Sequence, residues 1–152
     1  LLSVCIPAHN EEGGIGTTIR AIAETLRRER IPFEFVIAND NSTDGTEGAI
    51  RAAMAEGHPI RLINRIQPGG FGRAIRSCLD HFRGEYVVIV MADLSDDPAD
   101  IVRYYRKLDE GFDAVFGSRF LPGSTVRDYP LGKLIANRLG NKLIQLLFRT
   151  RH

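Results

Sequence analysis

Carboxylates cluster in one loop of the sequence, where they could bind a metal ion. Asp93, Asp96 and Asp97 follow a short apolar run, within Met-Ala-Asp-Leu-Ser-Asp-Asp-Pro at residues 91–98. Hard divalent cations prefer oxygen ligands, and Mg²⁺ typically takes one or two carboxylates while substrate phosphates complete its shell. Asp97 stands directly before Pro98, a pattern typical of a helix N-cap with proline at the first helical position. Asp93 is therefore the predicted metal ligand, and Asp96 stays open between solvent and metal.

Two aspartates of another loop, residues 39–47, are predicted to have different roles. Asp44 and Glu47 lie three residues apart before a helical pattern, which resembles a capping box and needs no ligand. Asp40 stands at the end of an apolar run and has no such partner. A carboxylate in that place suits a nucleobase or a ribose hydroxyl, as the acidic residue of dinucleotide-binding folds does. Asp40 is therefore a candidate for nucleoside binding.

Two further loops contain glycines at the points where helices are predicted to begin. Residues 7–14 are polar, and their simplest interpretation is a connector in which Asn10 or Glu11 caps the next helix. Residues 67–74 offer small side chains that let a ligand approach backbone N–H groups at the positive end of a helix. This second loop lacks the Lys-Ser/Thr of a P-loop and the G-x-G-x-x-G fingerprint, so neither is predicted.

Short apolar runs alternate with helical patterns along the chain, and this alternation predicts a doubly wound α/β fold. The predicted strands are Leu1–Ile6, Phe33–Ala38, Ile60–Ile63, Tyr86–Met91 and Ala114–Gly117. The predicted helices are Gly14–Arg30, Thr46–Ala55, Phe71–His81, Pro98–Glu110 and Leu131–Phe148. The run at Tyr86–Met91 is nearly all apolar, which predicts a strand covered by helices on both faces. Ligands of such sheets bind outside the carboxyl ends of the strands, where all of these loops lie.

Composition excludes several classes of protein. The 152 residues fit one domain, and 20 Lys and Arg against 19 Asp and Glu give a net charge of +1, which does not favour a nucleic-acid partner. Cys5 and Cys78 form no C-x-x-C pair and are predicted to be small buried hydrophobes. No apolar run reaches the roughly 18 residues of a membrane span, and no signal peptide is visible, so a cytoplasmic protein is expected.

Five motifs in order over residues 4–120 resemble those of family 2 glycosyltransferases. They are V-C-I-P-A-H-N-E-E, N-D-N-S-T-D-G-T, G-F-G-R-A, M-A-D-L-S-D-D-P and F-G-S-R-F. The branch that the chain most resembles contains the dolichyl-phosphate mannosyltransferases and bacterial polyprenyl-phosphate sugar transferases. The resemblance implies a GT-A fold, which is an open, mostly parallel, Rossmann-like sheet with helices on both faces. It also implies a UDP- or GDP-sugar donor, Mg²⁺ or Mn²⁺, and inversion at the sugar carbon.

The resemblance also assigns roles to particular residues. It places Pro7, His9 and Glu11 in the nucleoside pocket, Asp40 at the base or ribose, and Asp93 as the catalytic, metal-binding aspartate. Ser95 occupies the position where some relatives carry a further metal ligand. Arg119 matches a catalytic arginine that addresses phosphate groups, and Lys133 is a looser match to a second basic residue at the acceptor phosphate. Gly70, Arg73 and Ala92 complete the expected donor-binding set.

The sequence departs from the family pattern in three respects. Met91 stands where related mannosyltransferases have the first Asp of Asp-x-Asp, so metal ligation rests on fewer carboxylates. Asn39 replaces an acid often found beside the nucleoside aspartate. The acceptor-side segment of relatives is missing, so we expect residues 1–152 to be a single GT-A catalytic domain truncated on that side, inactive if taken alone.

The predicted activity is inverting transfer of a sugar to a polyprenyl phosphate. A basic stripe of Arg138, Lys142 and Arg149 is either a solvated helix face or a surface that lies against an anionic membrane, which would place the protein peripherally at its inner face. The alternatives are a nucleotide-sugar-binding module without turnover, a glycosyltransferase that acts on a saccharide hydroxyl, and a nucleotidyltransferase. A nucleotidyltransferase shares the α/β build but carries a different glycine-rich signature near its start.

Overall fold

The structure, a computed structural model, describes residues 1–117 and 139–140. The chain divides into two compact units, Leu1–Phe116 and Gly117–His152. The elements below all belong to the first unit. Among the described residues no helix is long and apolar enough to span a membrane. The expectation of one catalytic domain over residues 1–152 stays a prediction.

The first unit is built on a sheet of four parallel strands in the order β3-β2-β1-β4. The strands are β1 (Leu2–Ala8), β2 (Phe33–Asp40), β3 (Ile60–Arg65) and β4 (Tyr86–Ile89). Because β1 has β2 on one side and β4 on the other, the strand order reverses beside β1. Such a switch point opens a crevice at the carboxyl ends of the strands, where ligands of these folds bind.

Four helices connect and follow the strands and cover both faces of the sheet. They are α1 (Ile15–Arg28), α2 (Thr46–Ala55), α3 (Phe71–Leu79) and α4 (Pro98–Asp109). One face packs on α1, α2 and α4, and its main core includes Val4, Ile6 and Phe35. The opposite face packs on α3 through a smaller core of Cys5, Val36, Ala38, Ala74 and Cys78. The doubly wound fold predicted from the sequence is confirmed.

Helix α1 shows why the local sequence forms these elements. Ile15, Ile19, Ile22 and Leu26 recur at helical spacing and are all fully buried, so one stripe of the helix faces the core. Basic residues occupy its last turn, where cations stabilise the negative end of the helix. Its prediction as Gly14–Arg30 is correct to within two residues at each end.

The two cysteines lie in the smaller core, as predicted. Both are buried and free, and the thiol of Cys78 donates to the carbonyl oxygen of Val36 at 3.3 Å. The pKa of the Cys5 thiol is raised, first by its hydrogen bond with Cys78 and then by burial. Neither thiol is therefore a reactive surface group.

One predicted strand is less buried than expected, and another does not form. Strand β4 is only partly buried, and Ile89 is 46% exposed, because among the described residues β4 pairs with β1 alone and has no strand on its other side. Residues 114–117 were predicted as a fifth strand but have no regular structure. The helix predicted at Leu131–Phe148 lies almost wholly outside the described residues.

Candidate functional site

A cavity of about 440 Å³ opens at the carboxyl ends of the four strands. All four loops that follow the strands contribute to its wall. The predicted donor-binding residues that line it are Pro7, His9, Glu11, Asp40 and Gly70. Two other predicted donor-binding residues, Arg73 and Ala92, do not line the cavity. Arg73 donates to the carbonyl oxygen of Gly69 at 3.1 Å, and Ala92 is buried.

Asp40, at the end of β2, is the most tightly held residue of this wall. Its Oδ1 accepts from Arg65 Nη1 at 2.5 Å and from Asn41 Nδ2 at 2.8 Å, and its Oδ2 accepts from the backbone N–H of Gly70 at 2.6 Å. Only 7% of its side chain is exposed. These bonds give Asp40 a structural role in addition to any contact with a nucleoside, and the sequence did not predict them.

His9 is oriented by the same residue. Its Nδ1 donates to the carbonyl oxygen of Asp40 at 2.7 Å, since a carbonyl oxygen can only accept. This bond leaves Nε2 of a neutral ring as a hydrogen-bond acceptor. Because His9 lines the cavity, that acceptor is available to a donor group of a ligand.

The loops after β1 and β2 are joined by reciprocal hydrogen bonds. Asn10 N donates to Ser42 Oγ at 3.0 Å, and Asn10 Oδ1 accepts from Thr43 N at 2.8 Å. The carboxylate of Glu12 accepts from the backbone N–H of Gly45. The expectation that Asn10 or Glu11 caps α1 was wrong. The cap position is Gly14, without a side-chain hydrogen bond, and the Asn10 side chain bonds to the neighbouring loop instead.

Asp44 is structural, as predicted, although its geometry is not that of a capping box. Its Oδ1 accepts from Thr46 N at 3.1 Å and its Oδ2 from Glu12 N at 3.2 Å. Hydrogen bonds from the Thr46 side chain above all lower the pKa of the Asp44 carboxyl. Glu47 instead accepts from Arg51 at 2.7 Å, one helical turn later. Asp44 therefore ties the start of α2 to the β1–α1 loop.

The three carboxylates of the β4–α4 loop have different hydrogen-bond partners. Asp97 caps α4, accepting from Ala99 N at 2.9 Å with proline following, which confirms its prediction. Asp96, left open by the sequence, accepts from Met91 N at 2.9 Å. Asp93 is exposed and accepts from Ser95 N at 3.0 Å, and the hydrogen bonds from Ser95 lower the pKa of its carboxyl. Asp93 is thus the one of the three that neither caps a helix nor bonds back to Met91.

The residues fit a metal that takes most of its ligands from substrate. No group of three or more His, Cys, Asp or Glu residues that could hold a metal occurs in the described part of the chain. The position of a Cβ on Gly14 would lie 3.6 Å from Asp93 Cα and 3.9 Å from Glu11 Oε2, so these two acidic residues lie near each other beside Gly14, and Glu11 also lines the cavity. One or two carboxylates with phosphate oxygens are the usual shell of Mg²⁺. Asp93 would hold such an ion, with Glu11 beside it.

Helix α1 supports the backbone on which Asp93 stands. The hydroxyl of Thr18, fully buried, donates to the carbonyl oxygen of Ala92 at 2.7 Å. The Cβ position of Gly14 lies 3.3 Å from the same oxygen, so α1 approaches this turn closely. Ala92 is therefore a contact of α1, and its donor-binding role stays a prediction.

The sequence could not reveal some of these residues, and others lie outside the described part of the chain. Arg65 and Thr18 belong to no motif. The one available signal was a polar residue at a position of a strand or helix where burial is expected. Arg119 and Lys133, predicted at the acceptor phosphate, fall outside the described residues.

The fold and this cavity define a doubly wound α/β domain with a candidate ligand site at the carboxyl ends of its strands. The sequence profile described as glycosyl transferase family 2 matches residues 3–151, and the chain belongs to that family. Its fold is the GT-A-like α/β fold of that family.

Two curated relatives share an acceptor class in their names. The chain is 30% identical to polyprenol monophosphomannose synthase of Mycolicibacterium smegmatis, over 95% of this chain and 54% of the relative. It is 32% identical to undecaprenyl-phosphate 4-deoxy-4-formamido-L-arabinose transferase of Shewanella sediminis, over 95% of this chain and 42% of the relative. The chain thus spans about half the length of these proteins.

A solved structure matches the fold. Glucosyl-3-phosphoglycerate synthase of Mycobacterium tuberculosis, in complex with Mn²⁺, UDP and glucosyl-3-phosphoglycerate, has a TM-score of 0.57 and 25% identity, over 70% of this chain and 39% of that one.

Proposed function

We propose that the protein transfers a sugar, with inversion, from a UDP- or GDP-sugar to a polyprenyl phosphate. The observation that carries this proposal is the pairing of the cavity described above with two relatives of about 30% identity whose names specify a polyprenyl acceptor. Family membership supports the donor class, and the acceptor class rests on those relatives.

The nucleoside of the donor is proposed to bind between the loops after β1, β2 and β3. His9 presents a ring nitrogen acceptor, and Asp40 holds the wall against which a base or ribose would lie. Gly69 and Gly70 bring backbone close to that wall. Both uracil and guanine carry N–H donors that suit such acceptors, so the arrangement is compatible with either nucleotide.

The diphosphate of the donor is proposed to bind at Asp93. A divalent ion bound there would neutralise charge on the leaving nucleoside diphosphate. The solved relative with Mn²⁺ and UDP supports this assignment. Hydrogen bonds from Ser95 lower the pKa of the Asp93 carboxyl, which favours the charged form that a cation would bind.

The acceptor is proposed to need no protein base. Transfer to a hydroxyl normally requires a general base, worth about 10² to 10⁴ in rate. A phosphate monoester, with a second pKa near 6, is already largely an anionic nucleophile at neutral pH. Among residues 114–152 the one acid is Asp128, and Arg119, Arg127 and Lys133 are proposed to provide positive charge for the acceptor phosphate. Because a polyprenyl acceptor resides in a membrane, the protein is proposed to work at a membrane surface. The sequence-based expectation places it on the cytoplasmic side, peripheral to the inner face.

The test is transfer from labelled donors by the full-length protein. UDP- and GDP-sugars are offered with polyprenyl phosphate in one reaction and with an oligosaccharide or phosphoglycerate in another. We expect transfer to polyprenyl phosphate, retained in Asp128→Asn. Efficient transfer only to the hydroxyl acceptors would contradict the proposal. It would favour transfer to a hydroxyl group, for which the glucosyl-3-phosphoglycerate bound to the mycobacterial synthase is a precedent. Donor binding without any product would instead indicate a binding module.

A further inference from the structure

One arginine ties together three elements behind the donor cavity. Arg65 ends β3 and is the register partner of Asp40 at the end of β2. Its Nη1 donates to Asp40 Oδ1, its Nε donates to Ser77 Oγ at 2.8 Å, and its Nη2 reaches the carbonyl oxygen of Pro68 at 3.5 Å. Its side chain is 14% exposed. One guanidinium therefore joins β2, helix α3 and the loop between β3 and α3.

The Asp40 carboxylate of this ion pair also bonds to that loop. The second oxygen of Asp40 accepts from the backbone N–H of Gly70, so the carboxylate bridges Arg65 and the loop. The Cβ position of Gly69 is 3.2 Å from Asn41 Nδ2 and 3.5 Å from Asp40 Oδ2, which shows how closely the loop packs on this carboxylate. Gly69 and Gly70 both line the cavity.

We infer that Arg65 is a positioning residue for nucleotide binding, an inference that rests on the proposed function. It does not line the cavity and acts through Asp40. By holding that carboxylate in one orientation it sets the wall formed by Gly69 and Gly70. The other charged or titratable groups close to the pair are His9, bonded to the Asp40 carbonyl, and Arg73, bonded to the Gly69 carbonyl. Neither of them contacts the Asp40 carboxylate in its hydrogen bonds, so neither replaces Arg65.

Lysine replaces this arginine only in part. A lysine ammonium is a point charge that can pair with Asp40, whereas the planar guanidinium also reaches Ser77 and Pro68 at fixed angles. The conservative variant Arg65→Lys should therefore retain some of the effect, and Arg65→Met, which keeps an apolar stem of similar reach, should lose it.

The experiment measures the Kd of UDP and of GDP by calorimetry on the full-length protein, with and without Mn²⁺. The variants are Arg65→Met, Arg65→Lys and a control, Arg20→Met. Arg20 also forms a bidentate pair with a carboxylate, Glu56, but on the exposed surface of α1 and α2, away from the cavity. Thermal unfolding of each variant checks that it folds.

We expect Arg65→Met to weaken the nucleotide that the wild type binds by about tenfold or more, the effect of losing a charged hydrogen bond. Arg65→Lys should lie between it and the wild type, and Arg20→Met should bind normally. Combining Arg65→Met with Asp40→Asn should weaken binding no further than the worse single change, because both act through one pair. Should Arg65→Met fail to fold, Ser77→Ala removes a single guanidinium contact and should still weaken binding measurably.

The outcomes separate this inference from the proposed function. A wild-type protein that binds neither nucleotide shows the proposed donor to be wrong, and the inference falls with it. A wild type that binds, together with folded Arg65→Met or Ser77→Ala that bind equally well, overturns the role of Arg65 alone. Additive losses in the double variant would also overturn it, since they show that Arg65 and Asp40 act separately.

Discussion

The contact between Thr18 and Ala92 gives a sharp test of how helix α1 supports the predicted metal site. Replacing Thr18 by valine keeps the branched shape of the side chain but removes the hydroxyl that donates to the Ala92 carbonyl at 2.7 Å. The residue is fully buried, so water cannot replace the lost donor without rearrangement. The change therefore isolates one hydrogen bond, with little change in packing.

The magnitude follows from burial. Leaving a buried acceptor unsatisfied costs about 1–3 kcal/mol, more than the net value of an average hydrogen bond. The carbonyl precedes Asp93 directly, so any movement of the turn that rescues it also moves the predicted metal ligand. Thr18→Val should thus lose about 1–3 kcal/mol of unfolding free energy, and its Mn²⁺-dependent donor affinity should fall further than its metal-free nucleotide affinity.

The assay combines urea unfolding with donor titrations at several Mn²⁺ concentrations. Thr18→Ser keeps the hydroxyl and should restore most of the Mn²⁺ dependence. Thr17→Val, on the exposed side of the same helix, is the matched control and should change neither quantity. The reasoning is refuted if Thr18→Val matches Thr17→Val in stability, and its functional part fails if metal-dependent and metal-free affinities fall equally.

Three further outcomes are expected. Asp93→Asn should weaken Mn²⁺-dependent donor binding more than Asp97→Asn does, since loss of the α4 cap costs only about 1 kcal/mol of stability; equal effects in the titrations would remove the metal assignment. Asp40→Ala should weaken free nucleotide and nucleotide sugar alike, by about 1.5–3 kcal/mol, in calorimetry; unchanged nucleotide affinity would contradict it. Asp44→Asn should lower the melting temperature above pH 5, because the Thr46 hydrogen bonds that lower the pKa of the Asp44 carboxyl stabilise its charged form. The difference in melting temperature from wild type should shrink as the pH falls below the ordinary aspartate pKa and through the lowered one. A difference that stays constant down to pH 2 would argue against this role.

The order and kind of elements could be predicted because they depend on local patterns. The helix predicted at Gly14–Arg30 and the cap predicted at Asp97–Pro98 each depend on residues close together in sequence, and both predictions are confirmed. The burial of β4 could not be predicted in this way. An apolar strand is buried only if neighbours cover it, and among the described residues β4 pairs with a single strand.

The sequence predicted which loops form the site, but not the hydrogen bonds between their residues. The rule that ligands bind beyond the carboxyl ends of parallel strands located the loops, and the family resemblance selected Pro7 and His9 within them. The structure places both residues, with Asp40, at one cavity. The partner of Asp40 was missed because Arg65 lies 25 residues away in sequence, and only the register of β2 against β3 brings the two side by side. The commitment of Asn10 to the next loop was missed for the same reason.

The hydrogen bonds between the loops after β1 and β2 have a consequence for protein engineering. Asn10 and Glu12 from one loop, and Asp44 from the other, each bond to backbone N–H groups across the gap. Grafting one loop from a relative into this scaffold would therefore leave backbone donors of the other without acceptors. Chimeras that aim at a new donor preference should exchange residues 9–14 and 40–46 together, as a single module.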